Sequence, residues 1–245
     1  MHLTVGVLVV LICGWCFGEI AEDVSHGDPI VQIDRQVAVW FHQHASPTVT
    51  QVARTISFFG SVGWLTAVSI GLALFLVSRR DRLNASLVAL VMLGGSTLNL
   101  VLKHFFHRER PVLENPLVTL SSYGFPSGHT MGATLLYGLL ALLAWKNARN
   151  RAARLACVAG ACLWILLIGL TRIYLGAHYL TDVLGALAAG LLWLVVCWTH
   201  SKPSVGDATQ PDLSLRRLLS ARASRRATDA GSTPDFLAPF LTAGL

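Results

Sequence analysis

The chain alternates long apolar stretches with short polar ones. Uninterrupted apolar runs occupy residues 3–18, 61–78, 84–102, 130–145, 155–171 and 183–199. A helix that crosses a bilayer needs about 17–25 predominantly apolar residues, so these runs predict six spans, with 3–18 and 130–145 slightly short. A signal peptide is the rival reading of the first run; no Lys or Arg precedes it, which favours a retained span. Between the first two runs, Ile30, Ile33, Val37, Trp40 and Phe41 recur at near-helical spacing over 28–44. That pattern predicts an amphipathic helix lying at the membrane interface, with Trp40 as an aromatic anchor. Ser46-Pro47 breaks it, and 49–59 reads as a second short helix leading into the next span. The fold class expected is an all-α membrane protein: a bundle of six transmembrane helices with an interfacial helical segment after the first span.

Composition supports this reading. The sequence is 53% hydrophobic and only 13% charged, whereas soluble domains are about 25% charged. All five cysteines lie within apolar runs, so no disulfide framework is expected. Cys13 and Cys16 have the spacing of a redox pair, but no strand–helix unit follows them, and they read as structural. After 199 the composition turns to Ser, Thr, Ala, Asp, Pro and Arg without a long apolar run. Residues 1–199 are therefore expected to form one membrane domain. Residues 200–245 read as a disordered basic tail, in which 213–226 could lie on anionic lipid as a basic amphipathic helix.

The net charge of +6 is unevenly placed. Arg79, Arg80 and Arg82 join the second and third runs; Lys146, Arg149, Arg151 and Arg154 join the fourth and fifth; Lys202, Arg216, Arg217, Arg222, Arg225 and Arg226 follow the sixth. In a six-span topology all three segments fall on one side, which the positive-inside rule makes the cytoplasm. The partner this charge suits is the bilayer; no nucleic acid is implied. Segments 103–129 and 172–182 then face the opposite, outer side, the periplasmic side of the inner membrane in a bacterial cell.

Those two segments carry the unusual residues. Phe125-Pro126-Ser127-Gly128-His129 is a turn followed at once by an apolar run. A helix starting there has unpaired N–H groups and the positive end of the dipole, which attract an anion, and His129 can exchange a proton near neutral pH. Lys103 and Arg110 stand seven residues apart before Pro111, on the side where cations are disfavoured. A bound anion would justify them, and the planar fork of arginine suits phosphate. His178 and Asp182 are four apart, so on a helix they touch, and a carboxylate on one ring nitrogen leaves the other free to attack. Arg172 ends the fifth run. His104 and His107 read as interfacial histidines, and Glu109 as an offset to the local positive charge. Together these groups fit phosphoryl transfer, with fixed cations on the phosphate oxygens, an attacking group and an acid. The residues alone leave open which histidine attacks.

The pieces Lys103…Arg110-Pro111, Pro126-Ser127-Gly128-His129 and Arg172…His178…Asp182 resemble, in order and internal spacing, the three signature motifs of the type 2 phosphatidic acid phosphatases. That superfamily also includes bacterial acid phosphatases and vanadium haloperoxidases. The motifs cover 103–182, and the six-span pattern extends the likeness over about 1–199. One departure is Thr171 where the third motif usually begins with serine; the hydroxyl is kept, and little effect is expected. The resemblance implies that His178 is the nucleophile, forming a phosphohistidine, that Asp182 orients it, and that His129 protonates the leaving oxygen. It also implies that Lys103, Arg110, Arg172, Ser127 and the Gly128 N–H hold the phosphate. No metal or other cofactor is implied, because the cations supply the positive charge.

The implied partner is a lipid phosphate. Undecaprenyl diphosphate ranks first on a small headgroup, a long apolar tail and the extra cation Arg108. Phosphatidylglycerophosphate and phosphatidate follow. A lipid phosphotransferase would use the same residues with a different acceptor, and a non-catalytic anionic-lipid binder would not need His178 and Asp182.

Overall fold

The computed structural model describes residues 2–27, 29–114, 116–118 and 120–200. Among these, eight helices and no strand are present: α1 (His2–His26), α2 (Pro29–Gln43), α3 (Pro47–Phe58), α4 (Val62–Ser78), α5 (Arg82–Phe106), α6 (Gly128–Asn147), α7 (Arg151–Tyr174) and α8 (Leu180–His200). Apart from His200, which ends α8, the tail expected over 200–245 lies outside the described residues.

Six helical stretches are long and apolar enough to cross a membrane, as the hydropathy pattern predicts. Five of the six spanning helices overrun their apolar runs, and α4 stays within its own. The two short runs become helices of 25 and 20 residues. Hydropathy marks only the part that crosses hydrocarbon, while helix ends continue into the headgroup zone. Most starts are set by side-chain caps, which satisfy N–H groups that the helix leaves unpaired. Ser46, Ser61, Asp81, Ser127 and Asn150 accept from Val49, Trp64, Asn84, Thr130 and Ala153 N–H respectively.

The core is centred on α6. Met131, Leu135, Leu136 and Leu139 pack with Leu87, Val88 and Val91 of α5, and with Ala186, Ala189 and Leu194 of α8. The first span is built into this bundle rather than standing apart. Phe17 stacks on Phe125, ring centroids 5.8 Å apart, and meets Phe106 edge-on. Helix α3 lies against α7, where Tyr174 Oη is bonded to Thr50 Oγ1 at 3.1 Å and accepts from Ser46 N–H at 3.1 Å.

Helix α2 forms where the amphipathic pattern places it, but its buried face differs. Ile33 and Trp40 are 50% and 54% exposed, whereas Asp34 and Ala38 are buried. An interfacial helix has two apolar environments, lipid and protein. Periodicity of apolar residues alone does not say which stripe meets which. Trp40 sits on the outward stripe, as an anchor must, and the stripe that meets the protein carries a carboxylate.

Consecutive spans run antiparallel, so the end of α5, the start of α6, the end of α7 and the start of α8 gather at one end of the bundle. This is the end that carries Lys103, His129, Arg172 and Asp182.

Candidate active site

Three tight chain reversals build the site. At the first, α5 ends on His107, whose positive φ of 48° closes the helix with His107 N–H on the Lys103 carbonyl. The chain then runs through Arg108 and Arg110 and returns at Gly124, whose N–H donates to the Arg108 carbonyl at 2.7 Å. At the second, Ser127 caps α6. Its hydroxyl accepts from Thr130 N–H at 3.5 Å and Thr130 Oγ1 at 3.0 Å, and its own N–H donates to the Asp182 carbonyl at 3.0 Å. At the third, the chain turns around the end of α7. Ala177 and His178 N–H both reach the Arg172 carbonyl, and Gly176 takes the left-handed conformation that other residues resist, at φ +66°.

These reversals bring Lys103, Arg110, Gly128, His129 and His178 to the wall of one cavity of about 720 Å³. The cavity continues away from the charges between α4, α5 and α6, past Leu65, Ile70, Ala73, Met92, Leu93 and Leu135. From Val62 to Ala73 this apolar part descends about 16 Å along α4, at 1.5 Å per residue. Ile70 and Leu93, on its lining, are exposed on the outer surface of the helices. The space is therefore a cationic chamber joined to an apolar groove that is open toward lipid.

Each charged group is held. Lys103 Nζ donates to the Tyr123 carbonyl at 2.5 Å and reaches that of Gly124 at 3.5 Å. Arg110 donates to the carbonyls of Ser122 and Ala177 at 2.6 and 2.5 Å, and from Nη1 to His178 Nε2 at 3.1 Å. Burial holds its guanidinium below the usual arginine range, with Asp182 acting in the other direction. Arg172 donates from Nη1 to Ser57 Oγ at 2.7 Å, while its Nε is buried without a hydrogen-bond partner among the described residues. A buried, unpaired N–H is costly. Gly128 admits the approach of α5: a Cβ there would lie 3.3 Å from Asn99 Oδ1. Gly60 does the same behind His129, where a Cβ would come within 2.6 Å of Ile168 and 3.3 Å of the His129 side chain.

His178 is fixed from both nitrogens. Nδ1 lies 3.3 Å from Asp182 Oδ2, and Nε2 faces the guanidinium of Arg110. Arginine can only donate and carboxylate can only accept, so the ring is assigned its proton at Nδ1 and a lone pair at Nε2. Burial is the largest influence on His178 and pulls its pKa down to about 4. Asp182 opposes that shift, and Arg110 and Arg172 reinforce it. At neutral pH the ring is an uncharged imidazole whose Nε2 lone pair accepts from Arg110 at the cavity wall.

The residues singled out in the sequence thus converge, with distinct placements. Arg172, Ser127 and Asp182 are buried behind the cavity wall rather than lining it, and the Ser127 hydroxyl serves the helix cap. Thr171 Oγ1 donates into its own helix, to the Ile168 carbonyl at 2.6 Å, so the departure from serine leaves the chamber untouched. Arg108 corrects an expectation. It is not an extra cation facing substrate, because its guanidinium is held by two carboxylates, Asp182 Oδ1 at 2.6 Å and Asp34 Oδ2 at 2.7 Å. Glu109 is exposed, and the carboxylates that meet Arg108 are Asp34 and Asp182. Sequence reasoning missed Asp34 and Ser57. For Asp34 a signal existed, an acidic residue one helical turn from Ile30 on an otherwise apolar stripe.

A neutral histidine oriented by a buried carboxylate, a second histidine and a set of cations, all at the mouth of a lipid-facing groove, define a membrane-integral phosphoryl-transfer enzyme. Comparison with known proteins agrees. The PAP2 superfamily profile matches residues 84–204. Phosphatidylglycerophosphatase B of Bacillus subtilis is 33% identical over 149 residues, covering 60% of this chain and 72% of its own. Lipid A 1-phosphatase of Rhizobium etli is 28% identical over 166 residues, 58% and 67% of the two chains. The crystal structure of a transmembrane PAP2-type phosphatidylglycerolphosphate phosphatase from B. subtilis superposes with a TM-score of 0.73 at 26% identity, covering 80% of this chain and 98% of that one. The chain belongs to the PAP2 superfamily. It is an integral membrane protein and a lipid phosphatase.

The assigned state of His178 is directly measurable. Its pKa is depressed, so the ring takes up a proton only as pH falls toward about 4. In 15N-histidine NMR of the detergent-solubilised protein, the resonance missing from His178→Ala is expected to remain that of a neutral Nδ1–H ring from pH 8 to 5. A ring half protonated near pH 6.5 would contradict the assignment.

Proposed function

We propose that this protein removes a terminal phosphate from a membrane lipid in two steps through His178. In the first, His178 Nε2 attacks phosphorus, the bond to the lipid oxygen breaks, and His129 gives that oxygen a proton. In the second, water attacks phosphorus, His129 takes the proton back, the P–N bond breaks, and inorganic phosphate leaves. Lys103, Arg110, Arg172 and the Gly128 N–H at the start of α6 hold the non-bridging oxygens and offset the charge that develops on them. Ser127 sets that helix start in place. Asp182 keeps the Nδ1 proton and stabilises the positive charge that the ring acquires. The observation that carries this reading is the pairing of His178 Nδ1 with buried Asp182 while Nε2 looks into the cationic chamber. With three fixed cations around the phosphate, the reaction needs no divalent metal.

The substrate class follows from the shape of the cavity. The lipid tail stays in the apolar groove and its phosphate enters the chamber from within the bilayer. The ion pairing of Arg108 withdraws the cation that favoured a diphosphate. The reading best supported is therefore a phosphate monoester on a glycerol lipid, of the kind named for the Bacillus relative, with phosphatidate next and undecaprenyl diphosphate now behind both. The distribution of positive charge along the sequence supports a cell-membrane location with the active site facing outward and the tail, proposed to be disordered and basic, in the cytoplasm.

Phosphate release from phosphatidylglycerophosphate, phosphatidate and undecaprenyl diphosphate in mixed micelles tests the reaction. Wild-type turnover is expected to persist in excess chelator, to vanish in His178→Ala, and to fall by roughly 10³–10⁴ in Asp182→Asn, the scale seen when an orienting aspartate is lost. Activity abolished by chelator and restored by Mg²⁺ would overturn the mechanism. Radiolabelled phosphate recovered on an added lipid or sugar rather than free would make the protein a phosphotransferase. A kcat/KM highest for undecaprenyl diphosphate would restore that substrate.

Orientation has its own test. In intact cells a membrane-impermeant thiol reagent is expected to label a cysteine at Glu114 and not one at Arg149, in a background lacking the native cysteines. The reverse pattern would place the chamber in the cytoplasm.

A further inference from the structure

Asp34 is the most deeply buried charged side chain outside the catalytic cluster. It is 1% exposed and lies on α2, the interfacial helix, far in sequence from the motif residues. Its carboxylate is fully engaged. Oδ2 accepts from Arg108 Nη2 at 2.7 Å and from Thr181 Oγ1, and Oδ1 accepts from Thr181 N–H at 3.0 Å. Thr181 belongs to the first turn of α8, so Asp34 caps that helix from a different part of the chain. The residue that follows Thr181 is Asp182, the partner of His178.

The charges make the arrangement informative. Arg108 spans two carboxylates, both inaccessible to solvent. A single Arg–Asp pair would be neutral and would satisfy the geometry. Adding a second buried carboxylate leaves the triad itself with a net charge of −1 in a dry place, and its field reaches Arg110 as well as His178. His178 gains from that field when its Nε2 is bonded to phosphorus and the ring becomes positive. Without Asp34, Arg108 would neutralise Asp182, and the imidazole would lose the field that supports its positive charge.

We propose that Asp34 is a positioning residue of the reaction: by neutralising Arg108 and capping α8, it leaves Asp182 both correctly placed and effectively anionic toward His178. The proposal rests on the His178–Asp182 mechanism above and extends it to a residue on the interfacial helix.

A purely structural clamp and a charge balance differ in one respect. The wild-type cluster Asp34/Arg108/Asp182 carries −1, Asp34→Asn makes it 0, Arg108→Gln makes it −2, and the double variant returns it to −1. The other charged or titratable groups around His178, namely Arg110 from the 107–127 segment, Arg172 from α7 and His129 from α6, are unchanged in all three. A more negative cluster favours the protonated ring. The pH at which His178 takes up a proton, read by NMR, is therefore expected to fall in Asp34→Asn, rise in Arg108→Gln and return close to wild type in the double variant.

The same full-length proteins are assayed on dioctanoyl phosphatidate micelles. Asp34→Asn is expected to lower kcat by about 10–100-fold, the usual cost of losing a group that orients a reacting residue's partner, with KM little changed. The double variant is expected to recover part of that loss. An unchanged kcat and titration in Asp34→Asn, or a double variant no better than the worse single one, overturns the proposal. If Asp34→Asn does not fold, Asp34→Glu must retain kcat and Arg108→Gln must still raise the His178 titration; failure of either also overturns it. His178→Ala separates the two levels. Turnover surviving there removes the underlying mechanism, whereas its loss together with an indifferent Asp34→Asn removes only the role of Asp34.

Discussion

The interaction on which the site depends is the set of bonds made by Asp182. Its carboxylate meets His178, Arg108 and the Tyr179 N–H, and its carbonyl accepts from Ser127 N–H. One residue therefore joins the segment after α5, the cap of α6, the α7–α8 turn and the start of α8. A carboxylate in so dry a place is stable only with its oxygens satisfied, and satisfying them fixes the three chain reversals relative to one another. Orientation of His178 and closure of the bundle end are thus the same physical event. Helix α2 joins this junction through Asp34.

Around the junction the bundle meets two opposing demands. The proposed phosphate site brings Lys103, Arg110 and Arg172 close together, where they repel, and the proposed lipid path is an apolar passage ending among them. The structure answers the first with neutral acceptors. Backbone carbonyls of Tyr123, Ser122 and Ala177 and the hydroxyl of Ser57 hold the cations without cancelling their charge. The two carboxylates are bonded to Arg108 and to His178 rather than to these three cations. The second demand is met by α4 and α5, whose facing sides leave the groove open beneath the chamber. Charge and hydrocarbon meet at Gly128, where the absence of a side chain allows α5 to approach the first turn of α6.

Much of this was legible in the sequence because the relevant signals are local. Apolar runs give the spans, and Ser127 announces the start of α6. The four-residue spacing of His178 and Asp182 gives their contact, although only Asp182 lies in α8, in its first turn, and His178 precedes the helix. What was not legible is pairing at long range. Arg108 meets partners 74 positions away in both directions, and nothing in its immediate sequence distinguishes an arginine facing substrate from one held between carboxylates. Which stripe of α2 is buried was not legible for a related reason. Its apolar periodicity is shared between lipid and protein, and only the packing of Asp34 and Ala38 decides which side turns inward.

In the proposed reaction, phosphorus passes through Nε2 of His178. Rapid quenching of the wild-type protein during turnover of 32P-labelled phosphatidate, followed by peptide mapping, examines that step itself. The mechanism predicts an acid-labile, alkali-stable phosphoryl group on the peptide containing His178, absent from His178→Ala and accumulating when the second step is slowed. Label on a different residue, or retained in His178→Ala, would contradict it.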